Sequence, residues 1–233
     1  MRFKVLHCGI KQNIEELKSK IPEEVKLLAV SKTKPLEELE EAYIAGMRDF
    51  GENKVQELVK KSENFHDDVR WHFIGQLQSN KVKYLVDKVY LIHSLGSFSL
   101  LKEIEKVYGK ADKIANTLIQ INIGKEESKS GILEEDLYGF IEEIEKCKNV
   151  SVKGIMVIIP IGDEESNRKY FRRTKEIFDK LKEKKYNNIT MEVLSMGMTH
   201  DFMTAIEEGS NLVRIGTGIF GERNYNVGGG NNE

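Results

Sequence analysis

The stretch LLAVSKTKP, residues 27–35, runs from an apolar, β-branched segment straight into two lysines and a proline. Side chains alternate along a strand, so Leu28, Val30 and Lys32 share one face while Leu27, Ala29 and Ser31 share the other. Both faces stay apolar up to the lysines, the pattern of a parallel strand covered by helices. If the face of Leu28 looks inward, Lys32 rises from the core onto the rim of the fold. Burial there would favour its neutral amine, the form that attacks an aldehyde. Lys34 lies one step on, before a proline that holds the chain extended, and is expected to meet solvent or to add charge near the site.

Seven further runs read the same way: RDFG (48–51), WHFIG (71–75), VYLIHS (89–94), TLIQINI (117–123), VKGIMVII (152–159), TMEVLS (190–195) and LVRIG (212–216). Between them lie stretches of helical period, such as Leu36, Leu39, Tyr43 and Met47, or Phe171, Ile177, Phe178 and Leu181. Strand–helix alternation repeated this often predicts a parallel α/β architecture. A helical segment, Ile10 to Lys20, precedes the first strand, whereas only a short Gly-rich stretch follows the eighth. A leading helix can cover the gap of a missing last one, so the expected fold is a (β/α)8 TIM-type barrel. An open doubly wound sheet is the alternative. One domain is expected over residues 1–225, with a flexible Gly/Asn-rich tail at 226–233.

With a formal net charge of −2 over 233 residues and no long like-charge block, the electrostatic footprint of a nucleic-acid binder is missing. The apolar runs stop well short of a bilayer-spanning length, and no signal peptide is read at the N-terminus. Cys8 and Cys147 stand apart, without the spacing of a disulfide framework or a zinc site. A cytoplasmic protein that binds neither membrane nor metal is the expectation.

Polar and glycine residues gather at the strand ends: Lys32, Gly51-Glu52-Asn53, His72 with Gly75, His93-Ser94, Asn122, Ser195-Met196-Gly197, and Arg214 with Gly216 and Thr217. In a barrel these ends form one rim, where active sites are built. Loops after strands seven and eight are a recurrent phosphate site, and small residues let backbone N–H groups approach an anion. Ser195, Gly197, Gly216 and Thr217 are placed around such a phosphate. The run GTGIFG (216–221) matches G-x-G-x-x-G, but the second strand and acidic residue of a dinucleotide site cannot follow it before Glu233. A lysine that binds aldehydes beside a phosphate cradle suggests pyridoxal 5′-phosphate, with Arg214 set to face the pyridine nitrogen.

At this point the sequence closely resembles the pyridoxal-phosphate homeostasis proteins, the YggS-type family, related to the N-terminal barrel of alanine racemase. The resemblance runs nearly end to end, through LLAVSKTKP, FGENKVQE, WHFIGQLQSNK, INIGKEESKSGI, GIMVIIP, LSMGM and VRIGTGIFG. It implies the fold-type-III pyridoxal-phosphate barrel, with the cofactor on Lys32 as a Schiff base. It also implies that Ser195, Gly216 and Thr217 hold the phosphate, that Arg214 faces the ring nitrogen, and that Asn53 and His72 lie near the cofactor. Lys129 in SKSGI matches a family lysine. Gln76 stands where the family often has proline, and GIMVIIP departs from the family's GLMAIP-like sequence.

Racemisation through this cofactor needs a base on each face of the substrate carbanion. The racemases take the second from a tyrosine of an additional domain, and no tyrosine here stands at a strand end. The expected function is therefore a non-catalytic, monomeric binder that buffers or delivers pyridoxal phosphate, with apo-enzymes as partners. A fold-type-III enzyme such as an amino-acid racemase is the alternative. A third reading drops the cofactor and makes Lys32 the Schiff-base lysine of a lyase acting on a phosphorylated sugar.

Overall fold

Short apolar runs bounded by glycine and polar residues become strands because each can bury both faces between a barrel interior and a helical shell. The computed structural model describes residues 9–127 and 129–222. Eight of its runs are strands: β1 (Lys26–Val30), β2 (Asp49–Glu52), β3 (Arg70–Phe73), β4 (Leu91–Leu95), β5 (Ala115–Ile121), β6 (Val150–Val157), β7 (Ile189–Ser195) and β8 (Leu212–Ile215). They pair in chain order, and β1 also pairs in parallel with β8, which closes the barrel and excludes the open sheet. Helices α1 (Ile10–Lys20), α2 (Leu36–Ile44), α3 (Val55–Ser62), α4 (Phe98–Lys110), α5 (Leu137–Glu145), α6 (Glu164–Lys182) and α7 (Phe202–Glu207) are joined by a one-turn α8 (Thr217–Phe220). The expected tail at 226–233, Cys8 and both ends of the expected domain at 1–225 lie outside the described residues.

Strand alternation divides the buried residues into two layers. Ala29, Phe50, Trp71, Phe73, Ile92, Ile119, Ile155 and Val213 pack outward with Leu39, Leu58, Ile104, Phe140 and Phe171 of the helices. Leu91, Leu118 and Met156 form a separate inner cluster. Leu28 is fully buried outside the shell layer, and a Cβ added at Gly51 would come within 3.3 Å of its side chain. The missing side chain at Gly51 is therefore space that Leu28 fills.

The leading helix does cover the closing seam. Ile14 of α1 is fully buried, and Asn13 Nδ2 donates to the Ile219 carbonyl at 2.9 Å. The sequence predicts only a short tail after β8. The chain instead makes the single turn α8 there, capped by Gly216 and ended by Gly221 at φ +74°. The β7–β8 ladder is thin, with Ser195 opposite Leu212 as its register pair. Side chains complete it: Asn211 Oδ1 accepts from Leu194 N–H at 2.7 Å, and Asn211 Nδ2 donates to the Glu192 carbonyl at 2.7 Å.

Candidate functional site

Lys32 sits just past β1, in a turn closed by Lys34 N–H donating to the Ser31 carbonyl at 3.0 Å. Thr33 takes φ +65°, a left-handed conformation costly for a β-branched residue. A buried clamp from β2 and α3 holds it. Thr33 N–H donates to Glu57 Oε1 at 2.6 Å, and Lys61 Nζ donates to the Ser31 carbonyl at 2.8 Å. Lys61 also pairs with Glu52 at 2.7 Å and Glu57 at 2.8 Å, while Ser31 Oγ donates to Glu52 at 2.6 Å. Burial pushes the Glu52 carboxyl up to about 6, against the pull of Lys61 and Ser31. Its second oxygen is buried without a hydrogen-bond partner.

The turn brings both lysines to one cavity of about 250 Å³ at the C-terminal rim. Lys32 is half-buried there. Lys34 is not the solvent-facing residue that an extended chain would give. Its side chain is 12% exposed, and Nζ reaches the Phe220 carbonyl at 3.0 Å and Glu38 at 3.1 Å. The left-handed Thr33 between them turns the chain back. Asn53, Arg214, Gly216 and Thr217 line the same cavity. Arg214 is 4% exposed and anchored by Nη1 to the Ser195 carbonyl and Oγ at 2.9 and 2.7 Å, and by Nη2 to the Val157 carbonyl at 2.8 Å. Burial lowers its guanidinium to about 10, which leaves it charged near neutral pH. A Cβ at Gly216 would stand 3.2 Å from the Val30 carbonyl, so glycine keeps the β1–β8 wall thin.

Three predicted residues stand elsewhere. Ser195 is fully buried beneath Arg214 and does not line the cavity. Gly197 lies behind the loop at φ +94°, where a Cβ would meet Ala205 Cβ at 2.6 Å, so its glycine serves the packing of α7. His72 belongs to the opposite, N-terminal end of the barrel, where it lines a cavity of about 120 Å³ with Lys26, Tyr90 and Lys153. Ser195 and His72 point into the barrel but below the rim, because His72 stands in register with Leu91, the first residue of β4, and Ser195 with Leu212, the first residue of β8. Met198, Thr199 and His200 line the rim cavity instead. The three residues of SMGMTHD after Gly197 were the available signal. Asn122 closes its own loop, with Nδ2 donating to the Glu126 carbonyl at 2.9 Å, and Lys129 lines a neighbouring cavity with Gln76, Ser94 and Glu127.

Below Arg214 the barrel interior carries a string of polar contacts. Ser195 Oγ lies 3.2 Å from His93 Nδ1, His93 Nε2 lies 2.9 Å from His72 Nδ1, and His72 Nε2 lies 3.0 Å from Asp49 Oδ1. Burial lowers both imidazoles, His93 well below the usual histidine range. Burial alone would raise Asp49, but hydrogen bonds from Arg70 and His72 hold it well below the usual carboxylate range.

The family described as alanine racemase, N-terminal domain, matches residues 8–224. A pyridoxal phosphate homeostasis protein of Aquifex aeolicus is 48% identical over 202 residues, 86% of this chain and 88% of its own. Another, from Pasteurella multocida, is 40% identical over 223 residues, 93% of this chain and 95% of its own. PipY of Synechococcus elongatus, solved with PLP bound, has a TM-score of 0.83 and 32% identity, covering 91% of this chain and 100% of its own. An alanine racemase of Clostridium difficile shares the fold at TM-score 0.73 and 17% identity; 94% of this chain is covered and 57% of that one.

Proposed function

The chain belongs to the alanine racemase N-terminal domain family, among relatives named pyridoxal phosphate homeostasis proteins, and from that premise we propose that it binds pyridoxal 5′-phosphate and buffers or delivers it without turning over a substrate. The observation that carries this reading is the shared rim cavity. It gathers a half-buried lysine, a buried charged arginine, and glycine and threonine residues that follow β7 and β8.

The donor set fits the cofactor. Bound pyridoxal phosphate supplies an aldehyde that condenses with amines and a ring that draws electrons from the carbon attached to it. Lys32 would hold the cofactor through its aldehyde, from a turn whose strain is fixed by the Glu52–Lys61–Glu57 clamp. Arg214 would face the ring nitrogen, and as a guanidinium that keeps its proton it would leave the ring a weak electron sink. Thr199, Gly216 and Thr217 would take the phosphate, and Asn53, just after β2, would border the cofactor. Ser195 acts through Arg214, and Gly197 shapes the loop that presents Thr199. A racemase needs a second base on the other face of the bound substrate, and among the described residues no tyrosine lines the cavity. We take the protein to work as a monomer in the cytoplasm, with apo-enzymes that need pyridoxal phosphate as recipients.

Incubated with pyridoxal phosphate, the purified protein should show the absorption of lysine-bound cofactor, lose it on borohydride reduction, and carry the added mass at Lys32. Lys32→Ala should abolish this while Lys34→Ala largely keeps it. A protein that takes up no pyridoxal phosphate would sink the proposal. Enzyme-like exchange of α-deuterium on free amino acids would turn it toward a racemase. Transfer to an apo-enzyme, faster than from free cofactor at equal concentration, separates delivery from storage.

A further inference from the structure

The polar string inside the barrel admits only one direction of donation. Asp49 is ionised and held by Arg70 Nε at 2.7 Å, so it can only accept, and His72 Nε2 must carry the proton it shares at 3.0 Å. His72 is 2% exposed and neutral, so its Nδ1 is bare and must accept from His93 Nε2–H at 2.9 Å. His93 is fully buried and neutral, so its Nδ1 in turn accepts, from the Ser195 hydroxyl at 3.2 Å. Ser195 Oγ, having given its proton, accepts from Arg214 Nη1 at 2.7 Å, and a guanidinium can only donate. Every link is satisfied in this direction. Reversing the imidazoles would turn a bare nitrogen lone pair toward the Asp49 carboxylate.

We infer that Asp49, His72, His93 and Ser195 form a one-way hydrogen-bonded relay through the barrel that fixes Arg214 for the cofactor ring, with His93 as a positioning residue. The relay rests on the functional reading above for its purpose, though not for its existence. Its two ends carry opposite charges, the Asp49 carboxylate and the Arg214 guanidinium, and the dipoles between them align. Aligned buried hydrogen bonds strengthen one another in a low-dielectric interior. Arg214 has only neutral hydrogen-bond partners of its own, Ser195 and the Val157 carbonyl. The carboxylate whose charge acts on Arg214 directly is Asp201, which makes no hydrogen bond to it, so orientation by hydrogen bonding comes from the string, whose own anion, Asp49, stands at the far end on the side of the small cavity lined by Lys26 and Lys153.

The test is histidine-¹⁵N NMR on cofactor-free protein near pH 7, with resonances assigned by single His→Gln variants. His72 and His93 should each show one neutral tautomer, protonated on Nε2 and bare on Nδ1. An Nδ1–H tautomer, a charged ring or an averaged mixture at either position would overturn the relay. In Asp49→Asn the His93 signal should lose its single-tautomer signature although His93 does not touch Asp49, and the absorption maximum of added, bound pyridoxal phosphate should move. An unchanged His93 spectrum, or a shifted one with an unmoved cofactor band, would overturn the coupling. Should Asp49→Asn fail to fold, Ser195→Ala decides it: His93 Nδ1 loses its donor and must shift, and the bound-cofactor band must shift with it. A protein that takes up no pyridoxal phosphate would defeat the functional reading and the relay's role toward the cofactor, while the tautomers judge its direction separately.

Discussion

At the scale of single residues, the lysine turn is held by a carboxylate that is itself poorly accommodated. Glu52 moves from an ordinary value of 4.5 to about 6 through burial, so the folded state holds an extra proton between those values. Stability from this group is therefore full below about pH 4.5 and falls as pH rises to 6, by about 2 kcal/mol. Glu52→Gln should flatten that fall, seen as the wild-type-minus-variant difference in urea midpoints between pH 4.5 and 6.5; parallel curves would refute it. Lys61→Met leaves the buried Glu52 without its cation and should cost about 3–5 kcal/mol by urea unfolding. Thr33→Gly removes the left-handed penalty of about 1–2 kcal/mol, partly offset by the backbone freedom glycine adds to the unfolded chain. The variant should be no less stable than wild type, and a clear loss would mean the threonine side chain is needed. That Lys32 comes up at the rim was legible at this scale, because alternation puts it on the face of Leu28 and Val30. The turn that also brings in Lys34 was not, since nothing in KTK announces a positive φ at threonine.

At the scale of elements, the sheet depends on a few positions where neighbouring strands fall out of step. The β6–β7 register shifts between Val152 and Gly154, and a Cβ on Gly154 would lie 1.8 Å from the Val193 carbonyl. Gly154→Ala should therefore destabilise by about 3 kcal/mol or more, or fail to fold, as judged by circular dichroism and urea unfolding. Asn211→Ala opens the thin β7–β8 seam by stranding Leu194 N–H and should cost about 1–3 kcal/mol by the same measurement. All eight strands were legible in the sequence because each is a short apolar run with polar punctuation. Their ends were less so: LSMG ends its strand at Ser195, but the residues that reach the cavity come three or more positions later. The position of His72 is hidden from the sequence for a related reason. Which face of WHFIG and VYLIHS looks inward, and at what height, follows from register between strands, and a single sequence does not carry register.

At the scale of the whole molecule, the rim cavity is an assembly of distant segments that only the closed barrel brings together. A ligand bound by the folded state alone should raise its stability by about 2.7 kcal/mol at a hundredfold excess over Kd. Pyridoxal phosphate should accordingly raise the melting temperature of wild type in a concentration-dependent way, and do so much less in Lys32→Ala. An equal shift in both would detach the stabilisation from the lysine. The β1–β8 pairing that closes the barrel also bears on protein synthesis, because its two sides leave the ribosome far apart in time. Lys32 emerges early, and Gly216 and Thr217 emerge about 10–40 s later at ~5–20 residues per second. Throughout that interval β1 lacks its β8 neighbour, and Lys32 is without Arg214, Gly216 and Thr217, so whatever selectivity the cavity has begins only when the last strand is in place.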